Sequence, residues 1–136
     1  MVQMTGVYEG DKHCEITHGP SGSIIQTDAP KDNNGRGEAF SPTDMVGAAL
    51  GSCILTTMAI FGEKNGMNLK GSSFHVTKKM KMEPRQIHEL PLEITLPASL
   101  SADERATLEK IAHTCPVARS LSPDVKIPVV FHYKEL

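Results

Sequence analysis

The feature that most constrains this chain is a long apolar segment, Met45–Phe61, interrupted only by small and hydroxyl-bearing residues. A helix that crosses a membrane needs about 20 predominantly apolar residues, and this run is shorter and repeatedly broken. We therefore interpret it as the core helix of a globular domain and expect no membrane association. Because the segment is apolar on nearly every side, the helix is predicted to be central rather than superficial.

Local signals fix the ends of this helix. Ser41–Asp44 predicts its start, since serine caps free backbone N–H groups, proline suits the first helical position and aspartate completes a capping box. Asn65-Gly66 predicts its end in a left-handed turn, just after Lys64. Gly47 and Gly51 lie one turn apart and each costs about 1 kcal/mol of helix propensity. We therefore expect another backbone element to approach the helix closely at these glycines.

Alternating apolar residues predict β-strands on both sides of the helix. The first 28 residues, punctuated by turn signals, predict two or three antiparallel strands, and 29–38 is predicted to be a loop. Two further strands follow the helix, and Pro91 suggests that the second of them lies at a sheet edge. These two strands and the final one carry their alternating residues over 74–82, 90–96 and 125–133.

Two shorter helices complete the predicted architecture. Ser101–Glu104 forms a second capping box that opens a helix, and Cys115-Pro116 starts a short helical turn before the last strand. The order of elements predicts an α+β fold in a single domain spanning residues 1–136.

Composition excludes several classes of protein. Charged residues make up 22%, the net charge is −2 and aromatic residues make up 4%. The chain is too apolar and too balanced in charge to be disordered, and it lacks the basic excess expected of a protein that binds nucleic acid. The N-terminus carries no recognisable secretory signal, so we expect a cytoplasmic protein whose three cysteines are reduced at rest.

Cys53 is the first candidate for chemistry, within the central helix. Free cysteines are often buried as small hydrophobic residues, and that reading stays open beside a catalytic one. A thiolate at neutral pH would need a positive neighbour supplied by the fold. Arg36 is the nearest candidate in the sequence and Glu38 could orient it, although a solvated loop cation is the simpler interpretation of Arg36.

Cys115 stands where a helix cap is predicted, and the free N–H groups there favour an anionic sulfur. Simple burial between a helix and the last strand is the alternative, and packing is the simplest reading of Cys14. The cysteine and histidine spacings match no ordinary zinc site, so no metal is expected. A nucleophile elbow, a phosphate loop and a dinucleotide fingerprint are all missing, so no cofactor is expected either.

Two cysteine contexts resemble a known family. The segment Phe40–Cys53 reads FSPTDMVGAALGSC, and His113-Thr-Cys-Pro-Val117 follows much later. Together they resemble the OsmC/Ohr family of thiol-dependent hydroperoxide reductases, and the likeness spans most of the chain. The resemblance implies an OsmC-like fold, with antiparallel β-sheets wrapped around two central helices in an intertwined homodimer. It also implies active sites at the subunit interface.

The chemistry implied by the resemblance is a thiol peroxidase reaction in oxidative stress defence. Cys53 would be the peroxidatic nucleophile that reduces an organic hydroperoxide to an alcohol, and Cys115 the resolving thiol. An external dithiol, such as a lipoyl-type compound, would then reduce the disulfide. Thr43 stands where the family's hydroperoxide reductases usually carry a glutamate. An apolar pocket for the alkyl chain is expected from Met45, Leu50, Met58 and Phe61.

Two alternatives to an enzyme stay open at this stage. A redox sensor would keep both reactive cysteines but turn over little substrate. A dimer that binds small molecules would leave its cysteines buried and inert. The three readings differ in how many thiols react with a hydroperoxide and in whether a dithiol restores them.

Overall fold

The computed structural model describes all 136 residues, which fold as two compact units, Met1–Val46 and Gly47–Leu136. The first unit contains one antiparallel sheet with its strands in sequence order, which confirms the prediction for the first 28 residues. Gly10 and Gly22, both with positive φ, lie in the two connections between the strands. The strands are β1 (Met4–Tyr8), β2 (His13–His18) and β3 (Ile24–Asp28).

The predicted loop, 29–38, folds back against the end of β3. The backbone N–H of Asp28 donates a hydrogen bond to the carbonyl of Phe40 at 3.1 Å, and a short 3₁₀ turn lies between them. A Cβ atom at Gly35 would overlap the carbonyl oxygen of Ala29, so only glycine permits this close return of the backbone. The loop is therefore a compact structure rather than an open connection.

The long helix, α1, spans Pro42–Lys64, as the capping signals predict. The N–H of Asp44 donates to the Ser41 hydroxyl at 3.0 Å, and the N–H of Ser41 donates to the Asp44 carboxylate at 2.9 Å. Gly66, with φ at 76°, follows the helix in the left-handed conformation. The length and composition of α1 would also suit a membrane span, a test that the core helix of a soluble protein passes equally well.

Only one face of α1 is buried within the chain. Phe74 packs against Gly51, where an added Cβ would overlap the phenyl ring, whereas a Cβ at Gly47 would meet Leu90 at 3.4 Å. The elements that approach α1 closely at the two glycines are therefore side chains, whereas the sequence predicted the close approach of another backbone segment. The opposite face is open in the single chain, and Ile60 there is 57% exposed. The buried residues are Gly47, Leu50, Gly51, Ile54, Met58 and Gly62.

The first strand expected after α1, over 74–82, is broken in two by Thr77 and Lys78, which corrects the sequence prediction. The second, expected over 90–96, begins only at Leu92, and a strand over 86–89 that was not predicted precedes it. The N–H of Leu90 donates to the carbonyl of Lys126, so this backbone leaves the hairpin for a different partner. The resulting strands are β4 (Ser73–Val76), β5 (Lys79–Lys81), β6 (Gln86–Glu89) and β7 (Leu92–Pro97).

The main sheet of the second unit has the order β4-β7-β8, where β8 is Val129–Lys134. β7 lies in the middle of this sheet, so the edge position suggested by Pro91 is wrong, and Pro91 itself precedes the strand. β7 pairs antiparallel with β4 but parallel with β8. The mixed pairing departs from the antiparallel sheets that the family resemblance implies, while β5 and β6 form a separate two-stranded ribbon. β7 supplies three fully buried side chains: Leu92, Ile94 and Leu96.

Two further helices, α2 (Ala102–Ala112) and α3 (Pro116–Ser120), lie between β7 and β8 in the chain. The predicted capping box of α2 is present, with reciprocal bonds between Ser101 and Glu104. The hydroxyl of Tyr133 in β8 donates to the Glu109 carboxylate at 2.6 Å, and the Arg105 guanidinium lies 4.1 Å over the tyrosine ring. These contacts join α2 to the end of the sheet.

Candidate functional site

The second unit brings together two cysteines that are far apart in the sequence. Cys53 lies in the middle of α1, and Cys115 is the residue that caps α3. The Cys53 thiol is close enough to Cys115 to influence its ionisation, and no disulfide joins the two residues. Sequence reasoning singled out both residues, and the structure supplies their proximity. Their chemical roles remain predictions.

The geometry of α3 explains how Cys115 is held. Its sulfur accepts a hydrogen bond from the backbone N–H of Ala118 at 3.3 Å, the side-chain cap of this short helix. Pro116 occupies the first helical position, where no backbone donor is needed. The cap fixes the direction of the Cys115 side chain, so the sulfur has a defined position beside Cys53.

The environment keeps Cys115 protonated. Burial raises the pKa of the Cys115 thiol above its ordinary value, and the neighbouring Cys53 thiol raises it further. The N–H of Ala118 opposes this shift without cancelling it. Cys115 is 0% exposed, whereas Cys53 is half-buried. The pair therefore combines one cysteine that is partly exposed with one that is closed off and held as the neutral acid.

The first unit contains a charged cluster around Asp28, whose side chain is only 1% exposed. Its carboxylate accepts a hydrogen bond from His13 Nδ1 at 2.6 Å and another from the backbone N–H of Glu38 at 3.1 Å. Arg36 Nη2 lies 3.7 Å from the same carboxylate. The carboxylate beside Arg36 is thus that of Asp28, which sequence reasoning missed. Glu38 contributes its backbone, and its predicted orienting role stays a prediction.

These contacts define the charge state of the cluster. The hydrogen bond from His13 lowers the pKa of Asp28 below its ordinary value, although burial opposes the shift. The N–H of Glu38 and the positive charge of Arg36 lower that pKa further. Asp28 is therefore an ionised acceptor at neutral pH, and His13 must carry its proton on Nδ1. The only sequence signal for Asp28 was an acidic residue at the end of a strand, directly before a loop rich in backbone donors.

The four apolar residues predicted to form a substrate pocket differ in how deeply they are buried. Leu50 and Met58 are fully buried on the inner face of α1. Phe61, also in the second unit, is half-buried, as is Met45 at the end of the first unit. Their role in binding an alkyl chain stays a prediction.

Two grooves are lined by residues other than the cysteine pair. One of about 530 Å³ in the second unit lies between Lys70, Ser99 and Lys134. The other, about 360 Å³ in the first unit, lies on the sheet beside Met4 and His18. No three side chains of His, Cys, Asp or Glu are grouped as metal ligands would be.

Comparison with known proteins identifies relatives over most of the chain. Residues 35–130 match the family model described as OsmC-like protein. A solved structure from Psychrobacter arcticus, named for osmotic stress induction and the detoxification response, is 38% identical. The match covers 97% of this chain and 96% of that chain, with a TM-score of 0.93.

Two more distant structures share the fold. An organic hydroperoxide resistance protein, OsmC, from Legionella pneumophila is 15% identical over 97% of this chain and 96% of that chain, with a TM-score of 0.78. The organic hydroperoxide resistance protein from Elizabethkingia anophelis is 12% identical over 98% and 96%, also with a TM-score of 0.78. At these identities the likeness concerns the fold alone. No match was found among curated proteins.

Proposed function

This chain belongs to the OsmC-like protein family, and from that premise we propose that it is a thiol-dependent peroxidase that reduces organic hydroperoxides. The family resemblance drawn from the sequence is confirmed, and so is the mixed α/β fold. The observation that carries the proposal is the proximity of the Cys53 and Cys115 thiols. The names of the Legionella and Elizabethkingia proteins, both referring to organic hydroperoxide resistance, support the choice of substrate class.

The proposed reaction begins at Cys53. Its sulfur, as the thiolate, attacks one oxygen of the hydroperoxide, the O–O bond breaks and the alkoxide leaves as the alcohol after taking up a proton. Cys53 is then a sulfenic acid. The Cys115 thiol condenses with it, which forms the disulfide and releases water. An external dithiol such as dihydrolipoamide reduces the disulfide and is itself oxidised to its cyclic disulfide.

The environments of the two sulfurs support this division of roles. The peroxidatic sulfur must meet a substrate, and Cys53 is the more accessible of the two. The resolving sulfur must stay unreactive until the sulfenic acid forms, and burial with a raised pKa keeps Cys115 protonated. In this proposal Arg36 stabilises the Cys53 thiolate, Glu38 helps to orient Arg36, and the apolar residues Met45, Leu50, Met58 and Phe61 accept the alkyl group.

We also propose that the protein is a homodimer and that it works in the cytoplasm, where its thiols stay reduced. Large apolar side chains on strands of the first unit are exposed in the single chain, among them Val7 and Ile24 at 60% and 56%. So much exposed apolar surface is unusual for a monomer and is typical of an interface. Sedimentation equilibrium tests this part of the proposal, and a stable folded monomer would contradict it.

Thiol titration tests the peroxidase proposal. The reduced protein has three thiols. We expect one equivalent of cumene hydroperoxide to remove two of them and dihydrolipoamide to restore both. Cys53→Ser should abolish the loss, whereas Cys14→Ser, the matched control, should still lose two thiols. If neither thiol of the wild type reacts, the peroxidase proposal is wrong.

The redox sensor is the alternative function, and the same proximity of Cys53 and Cys115 supports it. A sensor would lose two thiols to one equivalent of hydroperoxide, yet it would consume little more when dithiol is present in excess. Steady-state consumption of cumene hydroperoxide with dihydrolipoamide therefore separates the two functions. Sustained turnover supports the enzyme, and a single turnover supports the sensor.

A further inference from the structure

The segment Asn65-Gly66, which follows the last residue of α1, brings two groups together that can react with each other. Where glycine follows asparagine, the glycine nitrogen can attack the side-chain amide carbon of the asparagine, because glycine has no Cβ to hinder the approach. Glycine follows two asparagines of this chain, Asn34 and Asn65. Both asparagines are exposed, so only the local backbone structure distinguishes their reactivity.

The fold obstructs the reaction at Asn34. The attacking nitrogen would be that of Gly35, whose N–H donates a hydrogen bond to the carbonyl of Pro30 at 3.0 Å. The backbone of Gly35 also lies against Ala29, so closely that an added Cβ would overlap the carbonyl oxygen. The nitrogen must lose its proton and turn toward the asparagine side chain before it can attack. The compact loop therefore has to open before Asn34 can react.

The fold leaves the corresponding nitrogen at Gly66 unobstructed. The N–H of Gly66 donates no hydrogen bond, and an added Cβ there would meet nothing within 4 Å. The N–H groups on either side, those of Asn65 and Met67, both donate to the carbonyl of Gly62. The turn that ends α1 is thus closed by the neighbours of Gly66, while the Gly66 nitrogen itself is not engaged.

The Asn65 side chain is restrained by a single hydrogen bond. Its Nδ2 donates to the carbonyl of Phe61 at 2.9 Å, and this bond is exposed to solvent. Hydrogen bonds at the end of a helix open more easily than those within it, because the last turn frays. The side-chain amide can therefore leave Phe61 and approach the Gly66 nitrogen without disturbing the rest of α1.

We propose that Asn65 is the site at which this protein deamidates spontaneously. The Gly66 nitrogen loses its proton and forms a bond to Cγ of Asn65, while the bond from Cγ to Nδ2 breaks and ammonia leaves. Water then opens the resulting cyclic succinimide. Attack at Cγ gives aspartate, and attack at the backbone carbonyl carbon gives isoaspartate, in which the main chain runs through the former side chain. Neither step depends on the function of the cysteines.

The modification would weaken the end of α1. An ionised carboxylate has no proton to donate, so the hydrogen bond to Phe61 is lost. The new negative charge also lies at the C-terminal end of the helix, where the helix dipole disfavours an anion. In isoaspartate the main chain is longer by one carbon, which changes the spacing of the two N–H groups that share the carbonyl of Gly62.

The test compares the two asparagines within the same full-length, reduced protein. The protein is incubated folded in mildly alkaline buffer and digested at mildly acidic pH, and each site is quantified by fragmentation in a mass spectrometer. We expect Asn65 to deamidate about tenfold faster than Asn34, since the reaction at Asn34 must first break a backbone hydrogen bond. In guanidinium chloride, where the fold is lost, the two rates should become similar.

Matched variants provide a second readout. Asn65→Gln, whose longer side chain cyclises far more slowly, should remove most of the isoaspartate that isoaspartyl methyltransferase labels in the aged protein. Asn34→Gln should leave most of this label in place. Asn65→Asp, which has the structure of one product, should unfold at a lower urea concentration than Asn65→Gln.

The contrary results are equally specific. Equal rates at Asn34 and Asn65 in the folded protein, or a faster reaction at Asn34, would overturn the proposal, because the unengaged nitrogen of Gly66 would then confer no reactivity. A tenfold preference for Asn65 that persists in the unfolded chain would also overturn it, since neighbours in the sequence rather than the fold would be the cause.

Discussion

The contact between Gly51 and Phe74 offers a sharp test of how α1 packs in the second unit. An added Cβ at Gly51 would overlap the phenyl ring, and the ring atom nearest the backbone, Cγ, would be only 2.8 Å away. The whole ring would have to move, since rotation of its outer edge cannot relieve a clash at Cγ. Gly47, one turn earlier, provides the matched control, because a Cβ there would meet the flexible end of Leu90 at 3.4 Å.

The difference between the two variants isolates the packing energy. Replacing either glycine by alanine gains about 1 kcal/mol of helix propensity, and this gain cancels in the comparison. Overpacking in a filled core costs about 1–3 kcal/mol. We therefore expect Gly51→Ala to be about 1–3 kcal/mol less stable than Gly47→Ala. Gly47→Ala itself should equal or exceed the wild type in stability.

Urea unfolding at a fixed protein concentration measures this difference, since any association would make stability depend on concentration. A companion substitution, Phe74→Leu, should remove most of the penalty at Gly51, because a smaller side chain leaves room for the methyl group. If Gly47→Ala and Gly51→Ala agree to within about 0.5 kcal/mol, the scale of an ordinary surface change, the ring does not pack rigidly against α1 and the argument is wrong.

Three further predictions concern single side chains. Cys115→Ser should leave the first oxidation of Cys53 intact but let the sulfenic acid accumulate, which a dimedone adduct detected by mass spectrometry would reveal; rapid recycling would contradict it. Tyr133→Phe should cost about 1 kcal/mol by removing the hydrogen bond to Glu109. Burial, and after it Glu109, raises the pKa of Tyr133 above its ordinary value. The wild type should therefore lose stability as the pH rises above about 10, the ordinary pKa of tyrosine, whereas Tyr133→Phe should not. The lowered pKa of Asp28 predicts stability that is present above its ordinary value of 3.8 and lost as the pH falls further; acid unfolding of Asp28→Asn should lack this component.

Local signals predicted the helices well because their causes are local. The capping bonds of α1 and α2 join residues three apart, so a short stretch of sequence contains both partners. The strands were predicted less accurately. Their breaks depend on partners that are distant in the sequence, such as the carbonyl of Lys126 for Leu90. Alternation shows which residues are extended, but it does not show where a strand changes its partner.

In the candidate site, too, the features with local causes were predictable and those that depend on distant residues were not. Both cysteines were identifiable from their motifs, and the cap at Cys115 was predictable because proline follows it. The pairing of Asp28 with His13 was not, since it requires the register of β2 against β3 to be known. Sequence reasoning searched near Arg36 for an acidic partner and found Glu38, whereas the fold brings in the carboxylate from the preceding strand.

The sulfur that caps α3 is the same atom that would enter the disulfide with Cys53. A five-residue helix has few internal hydrogen bonds, so the bond from the Ala118 amide to this sulfur is a large share of what orders its first turn. Drawing the sulfur toward a covalent partner would lengthen that bond and free the amide to exchange with deuterium. Deuterium exchange at the Ala118 amide alone would then report the redox state of the protein, without any reagent that reacts with a thiol.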